Sequence, residues 1–329
     1  MARAQGNLDS TVYYQEFPDQ LTGRYYFSRK YTGMRFQDKS SGLNLLFMPN
    51  STLNMGVGAT YSNLTLNLAY GFGFLNPDRG RGETNYLDLQ AHVYPKKWVI
   101  DFFGQFYRGY YIHQGKPEDL DMAGTYLNPD MRVRKIGTSV QYLFNHEKFS
   151  YRAAFLQNEW QKKSAGSLLA GFEIYGGEGK DEEGGFIPSS SLVEGQANVE
   201  SVRFFEFGPN LGYAYTLVIM KHFFITVSAS SNLSVGFSEV RDDSQNTRTQ
   251  WGVSPNYFLR GFAGYNSDRW SVNANYVYNQ VNFPDASGYR TSMMTGNYRL
   301  NFVYRFTPGS GLKKYLRPID NIKNKLGLR

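Results

Sequence analysis

From Gly296 to Phe306 the chain alternates with period two. Tyr298, Leu300, Phe302, Tyr304 and Phe306 are apolar or aromatic, and Asn297, Arg299, Asn301 and Arg305 stand between them. Successive side chains of a strand point to opposite faces, so this segment has one greasy face and one wet face. Leu64 to Phe74 repeats the pattern: Leu64, Leu66, Leu68, Tyr70, Phe72 and Phe74 face one way, and Thr65, Asn67, Ala69, Gly71 and Gly73 the other. A tilted strand needs roughly 9–11 residues to cross a bilayer. A soluble sheet with one wet face would alternate in the same way. The recurrence of long strands joined by short turns is what favours a barrel.

Taken in order, Arg24 to Phe36 reads as a first strand and Leu43 to Tyr61 as a second, bent at Pro49-Asn50 because proline interrupts a ladder. Ser62-Asn63 makes a turn before the strand at Leu64, and Asn76 to Gly82 is a charged, glycine-rich loop. Asn85 to Tyr94 and Trp98 to His113 form a hairpin around Pro95-Lys96-Lys97, followed by a long loop from Gln114 to Asp130. Arg132 to Phe144 and Phe149 to about Trp160 are expected to pair around Asn145–Lys148. Leu211 to Met220 pairs with Phe223 to Phe237, and Asn256 to Tyr265 with Trp270 to Tyr278; a loop near Asn282 to Arg290 precedes the last strand. Gln161 to Ser201 is read as one outer loop: Ser167 to Tyr175 has strand character, but Gly176 to Gly185 is flexible and acidic. The expectation is an all-β chain, a transmembrane antiparallel β-barrel of about twelve strands in the bacterial outer membrane. A hairpin inside the ambiguous region would make about fourteen. Both termini are placed in the periplasm, and the last strand closes on the first.

Composition agrees with this. The 329 residues include 26 tyrosines and 25 phenylalanines, yet mean hydropathy is −0.49. Tyrosine suits a boundary where a ring meets lipid and its hydroxyl meets water. No apolar run is long enough for a helical span, and the absence of cysteine fits a periplasm-exposed chain. Ala2-Arg3-Ala4 looks like the end of a secretory signal, or equally a chance sequence after a start codon. Residues 1–23 are taken as a periplasmic lead-in, 24–306 as the barrel and 307–329 as a basic tail. After a breaker cluster at 307–311, Leu312, Tyr315, Leu316, Ile319, Ile322 and Leu326 mark one helical face. Lys313, Lys314, Arg317, Lys323, Lys325 and Arg329 against Asp320 give the tail +5 of the chain's net +7. Pro318 predicts a short or broken helix. Such a segment is either a solvated tail or an amphipathic surface for the inner leaflet or a partner.

The stretches Pro49 to Gly58, Thr60 to Phe74, Leu87 to Tyr111, Glu159 to Ser167 and Phe207 to Ser228 resemble a Bacteroidota outer-membrane barrel family described only as a domain of unknown function. The resemblance runs from about Asp19 to Phe306. It implies the fold and the location, and it brings no catalytic residues. The basic tail departs from the commonest barrel ending.

Candidate chemistry is sparse. Of four histidines, His146 and His222 fall in turns, His92 shares the expected lumen face with Asp88 and Gln90, and His113 caps a strand at the outer rim. Outer-membrane lipid hydrolases need a nucleophile beside an oriented histidine. No nucleophile can be assigned to His113, so lipid hydrolysis is kept as an alternative only. The acidic clusters Asp181, Glu182, Glu183 and Glu118, Asp119, Asp121 read as solvated loops rather than metal sites. No metal or cofactor is expected, and the basic balance, concentrated in the tail, does not resemble a nucleic-acid surface. Charges on the wet strand faces are more informative: Asp88, Asp101, Arg260, Arg269, Arg299 and Arg305 should line the lumen, as a solute path or as a zipped-shut interior. Arg132 and Arg134 lie where lipopolysaccharide phosphates could meet them. The function favoured by these features is a non-enzymatic accessory subunit of an envelope complex, in contact with outer-membrane lipid and other envelope proteins. Its docking tail would be Leu312, Lys313, Lys314, Tyr315, Leu316, Arg317, Ile319 and Ile322. The alternative is a channel or carrier for small or amphiphilic solutes.

Overall fold

The computed structural model describes residues 12–17, 20–61, 64–78, 80–114, 126–181, 183–189, 192, 197–286 and 288–325. Ser62-Asn63, Glu118, Asp119, Asp121, Glu182, Leu326 and the start of the chain lie outside the described residues. A short β1 (Tyr14–Glu16) precedes β2 (Leu21–Asp38), β3 (Asn44–Met48), β4 (Asn54–Tyr61), β5 (Leu64–Tyr70), β6 (Asn85–Val93), β7 (Trp98–Gln114) and β8 (Leu127–Leu143). Then come α1 (Tyr151–Phe155), β9 (Glu159–Gln161), β10 (Ala165–Lys180), β11 (Val199–Ile219), β12 (Phe223–Asp242), β13 (Thr247–Asn266), β14 (Trp270–Asn282), β15 (Tyr289–Phe306) and α2 (Ser310–Lys325).

The sheet is antiparallel and closes on itself. β15 pairs with β2 from Phe306↔Leu21 to Tyr289↔Asp38, the seam the alternation of the last strand predicts. The ring holds ten strands, in the order β2, β3, β7, β8, β10, β11, β12, β13, β14, β15, and β4, β5 and β6 lie outside it. Two sequence expectations change here. Phe149 to Trp160 is not a strand: α1 and β9 fold there instead, and β8 pairs with β10. Ala165–Lys180 is a full strand, so the Gly-rich start of the expected acidic loop belongs to the wall. Glycines in a wall read as loop chemistry in the sequence, but Gly171 and Gly177 sit where a Cβ would meet neighbouring backbone within 2.5 Å.

One arc of the wall forks. The break at Pro49-Asn50 splits the second strand, as its proline predicts. The upper half of β2 pairs with β3 (Met34↔Phe47 to Gln37↔Asn44), which reaches β7 through Met48↔Tyr111 and Phe47↔Ile112. The lower half of β2 pairs with β4 instead, and β4 with β5. From the other side β6 pairs with β7, Asn85↔Arg108 to Val93↔Ile100. Among the described residues no ladder joins β5 to β6. At the head of the fork Gly109 adopts φ +89° in a bulge of β7, and a Cβ there would lie 2.2 Å from Glu83 O. The Thr84 hydroxyl donates to Gly109 O at 2.7 Å.

Outward faces are apolar, as in Leu211, Tyr213, Tyr215, Leu217 and Ile219 of β11. At the end of the barrel holding the strand termini Leu21 and Phe306, ring pairs Trp98–Tyr142 and Trp270–Tyr304 form part of an aromatic border. Toward the far end the outward positions turn charged: Arg203 Nε meets Glu178 at 2.8 Å, and Arg108 meets Asp130 at 2.7 Å. An apolar belt between an aromatic border and a charged collar is the surface of a membrane barrel. Among the described residues no helix is long and apolar enough to cross a membrane. α2 runs unbroken through Pro318, contrary to the expected interruption. Lys314, Tyr315 and Arg317 are exposed, so the Lys314 carbonyl freed by proline can turn to water.

Gly109→Ala should lower stability by about 1–3 kcal/mol, since a positive φ and a backbone contact both oppose a side chain. The readout is the temperature at which the folded band disappears in heat-modified gel electrophoresis. Gly104→Ala, whose Cβ would have only ordinary contacts at 3.6–3.7 Å, serves as the control.

Candidate functional site

Both ends of the lumen are filled, each by different chemistry. At the near end the connection between β8 and β10 turns inward. Ser150 caps α1, its hydroxyl accepting from Ala153 N at 3.0 Å, and Phe149, Tyr151 and Leu156 pack against Tyr94, Val99, Leu143, Leu169 and Ala214 of the wall. Two lumen arginines hold this plug by its backbone. Arg24 Nη2 donates to Leu156 O at 2.7 Å, and Arg305 Nε to Gln157 O at 2.7 Å. β9 carries Glu159, whose carboxyl burial pushes up and Arg152, 3.2 Å away, and the Ser150 hydroxyl pull back. At the far end Phe36, Phe47, Tyr175, Phe186, Phe204 and Phe283 close an apolar cap; Phe204 and Phe283 stack at 3.9 Å.

Between plug and cap lies a polar layer. Asp101 is fully buried and receives three donors: His92 Nδ1 at 2.6 Å, Tyr94 OH at 2.8 Å and Arg260 Nη2. Arg260 also donates to Tyr151 OH and lies 3.8 Å over the Phe258 ring, so one ion pair links β6, β7, β13 and the plug. Lys135 Nζ donates to Asn279 Oδ1 at 2.9 Å and Thr295 Oγ1 at 2.8 Å. Glu173 accepts from Ser139 at 3.0 Å and Asn210 at 2.9 Å, and Glu206 from Asn256. Asp88 accepts from Tyr107 at 2.8 Å and pairs with Lys30 at 3.2 Å.

A cavity of about 70 Å³ sits inside this layer. It is lined by Gln90 and His92 of β6, by Phe155 and Leu156 of the plug, and by Arg260, Val277, Asn297 and Arg299 among others. Its β6 side is the side of the fork. On a closed strand such as β12 exposed and buried positions alternate, whereas on β5 Leu66, Asn67, Leu68, Ala69 and Tyr70 are all exposed, so both its faces are open. His92 faces inward yet its side chain is 36% exposed, while its partner Asp101 is 0% exposed. The wall therefore has an opening beside β6, bounded by the unpaired edges of β5 and β6.

The residues expected in the lumen divide unevenly. Asp88, Asp101, Arg260, Arg299 and Arg305 do face inward, and Asp101 meets Arg260 directly. Arg269 does not: β13 ends at Asn266, so Arg269 falls in the turn and is exposed. Leu312, Lys313, Lys314, Tyr315 and Arg317 of α2 are exposed and Leu316 is partly so; Ile319 and Ile322 belong to the helix, but their side chains lie outside the described residues. His113 is exposed, its ring edge-on to Tyr111. Asp181 caps its own turn, accepting from Glu183 N at 3.2 Å. Arg132 and Arg134 are exposed on the outer face. The sequence reading missed Lys135, although Lys135 is in phase with Ser139 and Gln141 on an expected strand. It also missed the His92–Asp101 pair, which the register of a hairpin turning at Pro95–Lys97 brings opposite each other.

A family model described as Domain of unknown function (DUF4421) matches residues 7–306. No curated protein matches the chain. Among solved structures it is similar to the toluene transporter TodX of Pseudomonas putida, at 8% identity over 89% of this chain and 92% of that one, with a TM-score of 0.26. The outer membrane protein OmpT of Vibrio cholerae, in its trimer form, gives 10% identity over 87% and 98% and a TM-score of 0.26. A FadL homologue from Pseudomonas aeruginosa gives 10% over 87% and 90%, with a TM-score of 0.19. At these scores they carry no argument about this chain's ligand.

Asp101→Ala leaves Arg260 charged and without its carboxylate, and should cost about 3–5 kcal/mol. The double variant Asp101→Leu/Arg260→Met should recover most of that loss, measured as the urea midpoint of tryptophan fluorescence in micelles.

Proposed function

The chain belongs to that family of unknown function, and we propose that it works in the outer membrane as a barrel that admits a small amphiphilic molecule sideways through its wall. The observation that carries this reading is the unpaired β5–β6 edge beside a cavity whose axial exits are filled by plug and cap. In hydrocarbon an unpaired strand edge costs several kcal/mol per unmet backbone group, so an edge kept open has a use. An amphiphile suits it: the molecule can lie with its chain between β5 and β6 and its polar end in the polar layer. The near end, with the plug and α2, faces the periplasm in this reading, and the charged collar with Arg132 and Arg134 faces lipopolysaccharide. No catalytic step is part of it.

In lipid nanodiscs a lipid-partitioned maleimide should label Ala69→Cys, on the inner face of β5, about as fast as the outward Leu68→Cys. Ser228→Cys, on the inner face of closed strand β12, should stay unlabelled. Planar-bilayer recordings should show no ion conductance along the axis. Protection of Ala69→Cys equal to that of Ser228→Cys removes the lateral route.

A second reading, an accessory subunit of an envelope complex, is favoured by α2. It presents Leu312 and Tyr315, exposed, beside Lys313, Lys314 and Arg317. Deleting residues 308–329 should leave the barrel folded and shift its migration in native gels of mildly solubilised membranes from a larger species to the monomer. A monomer before and after deletion contradicts it.

A further inference from the structure

We infer that the cavity takes the carboxylate end of a single-chain amphiphile and that Arg299 is its counter-ion; this rests on the lateral route proposed above. Elsewhere inside the wall cations meet carboxylates: Arg260 meets Asp101 and Lys30 meets Asp88. Arg24 and Arg305 are spent on the plug backbone and the turn beside it. Arg299 differs from all of these. Its guanidinium lies 4.3 Å over the Tyr26 ring, and its Nε is buried with no hydrogen-bond partner among the described residues. It lines the cavity, and so does Lys135, whose partners Asn279 and Thr295 are neutral.

The lining is one-sided in charge. Among the described residues that bound the cavity stand Lys135, Arg260, Arg299 and His92, and no aspartate or glutamate. Asp101 answers Arg260 from behind the surface, and Asp88, Glu206 and Glu173 lie within Coulombic reach of Lys135, which leaves Arg299 as the lining cation without a carboxylate among the described residues. A buried cation with no counter-ion costs several kcal/mol, so the arrangement is unfavourable for an empty barrel. A planar guanidinium offers paired donors that match a carboxylate, and the Tyr26 ring holds the fork in place.

The rest of the lining sets the remainder of the ligand. Phe155, Leu156, Phe258, Phe262 and Val277 form an apolar side suited to methylenes. About 70 Å³ holds a carboxyl group and its first carbons rather than a whole chain. The rest of the chain then extends through the gap toward β5, where Leu66 and Leu68 are 64% and 65% exposed.

The chain has no cysteine, so Gln90→Cys places a single reporter thiol at the cavity. Its labelling by a small water-soluble methanethiosulfonate is followed in nanodiscs against decanoate, decanol and acetate, with Arg299 intact, as Arg299→Gln and as Arg299→Lys. Decanoate should protect the thiol, with its half-protecting concentration rising at least about tenfold in Arg299→Gln and several-fold in Arg299→Lys, which keeps the charge but loses the fork. Decanol should shift less than about twofold between backgrounds, and acetate should need far higher concentrations than decanoate, as expected when the chain contributes apolar burial. Equal protection by decanoate and decanol regardless of Arg299 overturns the carboxylate assignment and leaves the lateral route standing. Acetate as effective as decanoate overturns the amphiphile. Protection by neither decanoate nor decanol overturns both. If Arg299→Gln does not fold, Arg299→Lys decides: an unchanged decanoate concentration there rejects the role of the fork.

Discussion

A β-strand in hydrocarbon must give every backbone donor and acceptor a partner inside the protein, because there is no water to supply one. The wall of this protein follows from that constraint. β15 must find β2, which it does over the full length of both strands, and the long strands β10 to β14 pair in unbroken succession. The same constraint makes the fork the most informative part of the molecule. Pro49-Asn50 stops one strand, Gly109 bends another, and below them the sheet divides without rejoining.

The interior obeys a second rule: a buried charge must be answered. Asp101 takes donors from Arg260, His92 and Tyr94, and through Arg260 it fixes the tyrosine of the plug helix. Arg24 and Arg305 grip the plug by its carbonyls from opposite sides of the seam. Plug, polar layer and apolar cap thus form one stack, which closes the axis. The exception to this pairing, Arg299, lines the cavity that Gln90 and His92 of β6 also line, so the irregularity in the charges shares a cavity with one edge of the irregularity in the wall.

The barrel was legible in the sequence because alternation reports directly on a wall with two environments. Gly296 to Phe306 and the hairpin at Pro95–Lys97 kept their faces in the structure, whereas the expected strand Leu64 to Phe74 stops at Tyr70 and runs into a 3-10 turn at Gly73–Leu75, because its edge finds no partner to extend along. The proline break was legible for the same reason. The expected twelve strands became a ring of ten with three outside it, because pairing depends on the partner as well as on pattern. Phe149 to Trp160 has the aromatic content of a strand but spends it inside the lumen on α1, whose cap at Ser150 is a short local signal. The lumen charges were legible where the residue stood inside an expected strand, as for Asp101 and Arg299, and misplaced where it stood in the turn between two, as for Arg269, which lies between Asn266 and Trp270. The opening between β5 and β6 could not be read at all, since it is the absence of a pairing between two segments that each look like ordinary strands.

The central claim is that β5 and β6 are not joined. Backbone amide NOEs in perdeuterated protein, reconstituted in lipid nanodiscs, test it most directly. The account predicts interstrand contacts for β4–β5, such as Gly58 with Asn67, and for β6–β7, such as Asp88 with Gln105, and none between β5 and β6. A continuous set of β5–β6 contacts would close the wall and contradict the account.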